Sequence, residues 1–384
     1  MTPVALFANE LGGGRGHIAR LNAVASVARD LGYRPVLSLP KGPDTLRPPA
    51  DWHFDALIEG PELPRLRNVP AQLNVGGLAS NLARTGFVDK SRIASVVAEL
   101  HALLMTHRPH VVVGDFAPYA RLACLDRIPF LMLGSGYTLP SKEGLRPFPM
   151  EQRKRDPSRV IRRILSQVNA TLSTIGTSEI EDLGACLRGD RNVVACLPIL
   201  DPTDGREAEE YFGPLESLPE LYDSNGHSNR VYAYLHSVTQ NDTVALGQLA
   251  RHGLQIDLFC DGEVHEIGRI ARHLETPLAP RQIVEKYSLT YHRAGLGLAT
   301  QCLLAGLPQL LNPRHLEASF TAARLENEGF GIDLSNGDRA ETLGAFGSLL
   351  DFPLIDTQRI EPFRSWMVSK DWHHAISKLL RDLA

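Results

Sequence analysis

The residue types that could do chemistry gather at two glycine-rich turns and one strand end. The first turn is Glu10-Leu11-Gly12-Gly13-Gly14-Arg15-Gly16-His17-Ile18-Ala19-Arg20. It has no Gly-Lys-Ser/Thr triplet, so it is not a P-loop. A dinucleotide fingerprint fits poorly: the third glycine is missing, and the second strand ends Leu37-Ser38-Leu39-Pro40 without a ribose-binding acid. What remains is His17 at a helix start, where an imidazole can take a proton from a substrate hydroxyl. A cap or packing role for His17 stands beside that reading. Asp115 closes the run Val112-Val113-Gly114-Asp115. On the same sheet edge it would fix the His17 tautomer and stabilise an imidazolium. Capping the next helix is its plainer alternative.

The second turn lies in Tyr291-His292-Arg293-Ala294-Gly295-Leu296-Gly297-Leu298-Ala299-Thr300 and continues through Gly306-Leu307-Pro308 to Pro313 and Glu317. Small residues let backbone approach a diphosphate, and the free N–H groups of a helix start bind it.

This stretch resembles the donor signature of the family 1-type, UDP-sugar-dependent glycosyltransferases with the GT-B fold. Gly16-His17 is similar to their Gly-His base, and Asp115 to the aspartate that supports it. The resemblance runs nearly the length of the chain and is most specific over residues 288–331. It implies an inverting, metal-independent hexosyltransferase with His17 and Asp115 as catalytic residues. A nucleoside-diphosphate sugar, foremost a UDP-sugar, would be the donor, with no further cofactor and a small or lipophilic acceptor. The donor and phosphate contacts it implies are Gly14, His292, Arg293, Ala294, Gly295, Gly297, Leu298 and Glu317. The sequence departs from the pattern at four positions. Arg293 stands at the phosphate-binding histidine, Leu298 at Thr or Ser, Gln301 at Glu, and Ala318 at the Gln of the acidic-Gln pair. Guanidinium binds phosphate well, so Arg293 suits its place. Two other functions stay open: an epimerase or hydrolase of the same fold, which needs acids beyond Glu317, and a non-catalytic binding module.

The elements that must position these residues alternate. Short apolar runs such as Val4–Ala8 and Val111–Val113 alternate with helical spacings such as Ile93, Val96, Val97, Leu100 and Leu104. That is the pattern of α/β sheets covered on both faces. Two Rossmann-like doubly wound domains facing a cleft are expected. The N-terminal, acceptor-binding domain spans 1–205, a Pro- and Gly-broken acidic linker 206–229, the nucleotide-sugar-binding domain 230–359, and a helical tail 360–384 that packs back on the first domain. Residues 40–88 read as long loops, and 264–274 as a helix. The loops 40–90 and 135–155 carry Trp52, Phe54, Phe87, Tyr137 and Phe148, which suit an apolar acceptor or ordinary packing.

Composition narrows the partners. A formal charge of −4 gives no global attraction to nucleic acid or anionic membrane. Five scattered cysteines without a C-x-x-C pair indicate neither a disulfide framework nor a zinc site, so a cytoplasmic location is expected. No apolar run is long enough to cross a bilayer. No D-x-D triplet occurs, so nothing in the sequence requires a metal on the diphosphate. The basic run around Arg153-Lys154-Arg155, Arg159, Arg162 and Arg163 reads as a solvated helix face.

Overall fold

The computed structural model describes residues 2–10, 15–40, 52–64, 77–145, 157–203, 206–223, 229–262, 267–335 and 355–383. The chain forms two compact units. Unit 1 is Met1–Leu215 with Asp371–Ala384, and unit 2 is Glu216–Lys370.

Unit 1 holds a six-stranded sheet of order β3-β2-β1-β4-β5-β6. The strands are β1 (Val4–Asn9), β2 (Arg34–Leu39), β3 (Ala56–Glu59), β4 (Val111–Asp115), β5 (Phe130–Gly134) and β6 (Arg191–Val194), and every pairing is parallel. β4 and β5 are buried along their whole length, which is why they read as unbroken apolar runs. Helix α1 (Arg15–Asp30) lays Ile18, Leu21, Val24, Ala25 and Ala28 into the core. Gly32, at φ 83°, turns the chain back into β2, a conformation glycine adopts without a Cβ clash. From β1 the chain builds outward to β3, then returns beside β1 as β4 and builds the other way. The ends of β1 and β4 therefore flank a topological switch point, where open α/β sheets bind ligands.

Four further helices cover this sheet: α2 (Gly77–Arg84), α3 (Lys90–His107), α4 (Pro118–Cys124) and α5 (Ser158–Thr174). α4 has no side-chain cap of its own. Its Tyr119 and Ala120 amides donate instead to Glu10, at 2.9 and 2.6 Å. Glu10 thus ties the end of β1 to the segment after β4. Burial pushes its carboxyl up to about 8, against the pull of those two amides.

Unit 2 repeats the plan with the order β12-β11-β10-β7-β8-β9, again all parallel. Its elements are β7 (Arg230–Leu235), α6 (Gln240–Arg251), β8 (Gln255–Cys260), β9 (Ala271–Leu274), α7 (Pro280–Lys286), β10 (Leu289–His292), α8 (Leu296–Ala305), β11 (Gln309–Leu311), α9 (Leu316–Asn327) and β12 (Ile332–Asp333). The switch point lies between β7 and β10.

Several expectations change. Of the helix expected at 264–274, residues 264–266 lie outside the described residues; residues 268–270 form a turn and Ala271–Leu274 is the edge strand β9. Ile267, Ile270, Ala271 and Leu274 have helical spacing, but Arg272 binds Asp257 on β8 through Nε and Nη2, which fixes the segment as a strand. The stretch 40–88 contains the short β3 and α2, too brief for periodicity to show. The tail divides. α10 (Thr357–Ser369) belongs to unit 2, with Ile360 buried and Arg364 donating to the Leu304 and Pro219 carbonyls. α11 (Trp372–Leu383) belongs to unit 1, where Ile376 and Leu380 join the core. Among the described residues no helix is long and apolar enough to cross a membrane.

Candidate active site

At the switch point of the first sheet, β4 ends in Asp115, opposite Asn9 of β1. Its side chain is fully buried and accepts from two residues of α1. His17 Nδ1 lies 2.8 Å from Oδ1, and Arg20 Nε donates to Oδ2 at 2.7 Å. Burial alone would raise the Asp115 carboxyl. The charges and hydrogen bonds of Arg20 and His17 outweigh it and hold the group below its ordinary value. Arg20 Nη2 also approaches His17 Nδ1, at 2.9 Å. That nitrogen has one proton or one lone pair, not both. A carboxylate can only accept, so we place the proton on Nδ1, donated to Asp115. The Arg20 approach is then a donor–donor contact, tolerated because one carboxylate binds both groups. Nε2 is left as the acceptor, on a side chain 16% exposed.

At the switch point of the second sheet, α8 opens at Gly295 without any side-chain cap. Gly295 and Gly297 are exposed, with no atom within 4 Å of where a Cβ would stand. The first amides of α8 are therefore open to an anion. Just before them Arg293 is bound inward. It grips Asp242 on α6 with Nη1 at 2.7 Å and Nη2 at 2.5 Å, and donates to the Ser237 carbonyl at 2.7 Å. Asp242, fully buried, also accepts from the Tyr291 hydroxyl at 2.6 Å and Asn312 at 2.9 Å, and completes a capping box with Thr239. Burial would raise its carboxyl, yet the hydrogen bonds from Arg293, Thr239 and Tyr291 hold it low.

No protein-family model matches the sequence, and no curated protein matches it. Solved structures align with it over its whole length. The calicheamicin glycosyltransferase aligns at a TM-score of 0.70 and 14% identity, covering 100% of this chain and 98% of that one. The spinosyn forosaminyltransferase gives 0.66 and 16%, covering 100% and 99%. A glycosyltransferase from Streptomyces sp. SF2575, crystallised with thymidine diphosphate, gives 0.62 and 14%, covering 100% of both chains. This is the GT-B fold.

Within the GT-B frame the expected site residues separate into three groups. His17 and Asp115 are in contact. Gly295, Gly297 and Leu298 form the open first turn of α8, where Leu298 replaces a hydroxyl contact with packing against the Tyr232 and Phe259 cluster. His292, Arg293 and Ala294 turn inward. The His292 ring is buried, its Nδ1 accepts the Ala294 amide at 3.2 Å, and Nε2 donates to Gln309 at 3.2 Å. Burial pushes that imidazole down to about 4, so it is neutral. Ala294 has φ 55°, a left-handed conformation that suits glycine better, and its amide is committed to His292. Glu317 lies in the first turn of α9, half-buried. Gly14 lies outside the described residues.

The other departures also have partners. Gln301 donates to Glu216 at 2.8 Å, and Ala318 is buried. Of the aromatics that suit an apolar acceptor or ordinary packing, Phe54, Phe87 and Tyr137 are buried. Phe54 packs on Phe7 and Trp52, and Phe87 on Tyr119. Phe148 and Arg153-Lys154-Arg155 lie outside the described residues. Arg159, Arg162 and Arg163 are exposed along α5.

Sequence reading missed Arg20, Glu10 and Asp242. Arg20 was within reach of it: three residues after His17 on a helix puts both on one face. Asp242 carried no local signal, because its partner is 51 residues away.

Proposed function

We propose that this protein is an inverting glycosyltransferase that takes a sugar from a nucleoside diphosphate and places it on a hydroxyl of a small or lipophilic acceptor. The observation that carries the reading is the His17–Asp115 pair at the first switch point, within a fold shared over full length with glycosyltransferases. His17 Nε2 takes the acceptor's proton, and Asp115 stabilises the imidazolium that forms. The acceptor oxygen attacks the anomeric carbon as the carbon–oxygen bond to the diphosphate breaks on the opposite face, inverting configuration. The leaving diphosphate gathers negative charge, which the open amides of α8 receive in place of a metal. Arg293 acts from beneath, holding that turn against Asp242.

The thymidine diphosphate bound to the Streptomyces relative makes a TDP-sugar the first donor to try, with the UDP-sugar implied by the sequence second. The calicheamicin and spinosyn enzymes make compounds of those two kinds the first acceptors to try. Binding of TDP and UDP by calorimetry, followed by product detection by mass spectrometry across a panel of such acceptors, tests the reading. Failure of both nucleotides to bind would overturn it. Binding without transfer to any acceptor would favour the non-catalytic alternative.

A further inference from the structure

With Arg293 and His292 committed inward, the open turn of α8 has no cation from its own strand. The neighbouring strand offers a histidine. β7 pairs with β10, Tyr234 opposite His292. Two residues further on, His236 and Ala294 follow the ends of their strands at the same edge of the sheet. His236 is the first residue after β7, on the carboxyl edge of the sheet and on the other side of the same switch point. Its side chain is 69% exposed, and Nδ1 lies 3.0 Å from Asp261 Oδ2, just past the end of β8. The backbone beneath is crowded. A Cβ on Gly262 would come within 2.9 Å of the His236 carbonyl, and Arg293 holds the Ser237 carbonyl.

We infer that His236, oriented by Asp261, is a donor-binding residue that contacts the diphosphate as an imidazolium; this rests on the donor reading above. A carboxylate accepts only, so Nδ1 carries a proton and the ring is aimed by that bond. A diphosphate also accepts only. Contact through Nε2 therefore requires the second proton, and nucleotide binding takes it up. Among the described residues, the charged group in contact with His236 is Asp261; Cys260, beside Asp261 in the chain, lies near the Arg293–Asp242 pair between β10 and α6. The Arg293–Asp242 ion pair is internally balanced. Burial raises the Cys260 thiol, which leaves it neutral.

The test is calorimetric titration of the full chain with TDP, and separately with thymidine, in two buffers of different ionisation heat. TDP binding to the wild type should take up protons, and His236→Gln should weaken it about tenfold and abolish the uptake. Thymidine binding should not change, and the melting temperature should hold because the side chain is exposed. Equal TDP affinity in wild type and variant would overturn the inference while leaving the donor site in place. So would equal losses for TDP and thymidine. If the wild type binds no nucleoside diphosphate, the donor reading falls and this inference with it.

Discussion

The two switch points carry the same kind of pair with its polarity exchanged. In the first sheet Asp115 lies opposite Asn9, the last residue of β1, and its partner His17 is the third residue of α1. In the second sheet Arg293 falls opposite Leu235, the last residue of β7, by continuation of the His292–Tyr234 register, and its partner Asp242 is the third residue of α6. Strand and helix have traded the acid and the base. The consequence is chemical. A carboxylate on the strand with a histidine on the helix leaves one ring nitrogen outside the pair. An arginine at the strand end, gripped by a helix carboxylate and two carbonyls, leaves little to offer a ligand. The first arrangement can move a proton. The second builds a rigid floor beneath open amides.

Unequal costs of removing the two acids would sharpen this contrast. Asp242→Ala strands a guanidinium only 11% exposed and should lower stability by about 3–5 kcal/mol. Asp115→Ala leaves Arg20 and His17 nearer to water and should cost about 1–3 kcal/mol. Urea denaturation measures both, and equal losses would break the contrast.

A slower pH dependence comes from Glu10. Its carboxyl has an ordinary value of 4.5 and is raised to about 8 in the fold. Its contribution to stability is complete below pH 4.5 and is lost as pH rises through about 8. Glu10→Gln should therefore flatten the decline in stability across that window, read by thermal melting at a series of pH values. An unchanged slope would show that Glu10 is not buried as a titrating acid.

The smallest effect concerns the floor itself. Ala294→Gly relieves a left-handed alanine and should stabilise unit 2 by about 1 kcal/mol. A destabilised variant would mean that the Ala294 methyl contributes packing that outweighs its backbone strain.

Much of the first site was legible in the sequence because its signals are local. An apolar run ending in Asp115 and a glycine turn ending in His17 each announce a strand end or a helix start. Parallel pairing then brings the two ends together. The second site was legible as a turn but not as a set of roles. Counting back from Gly306-Leu307-Pro308 gives Arg293 a position, yet its role depends on Asp242, which no local pattern connects to it. The same limit misread 264–274. Ile267, Ile270, Ala271 and Leu274 satisfy helical spacing, while the pull of Asp257 on Arg272 comes from another strand. Short edge elements such as β3 are shaped by their neighbours more than by their own periodicity.

Removal of the acceptor's proton by the imidazole of residue 17 is tested by one paired measurement. TDP affinity and sugar transfer are recorded side by side for the wild type and His17→Ala. Transfer should fall by about 10²–10⁴-fold while TDP affinity stays unchanged. Undiminished transfer in that variant would contradict the assignment, whatever else the fold supports.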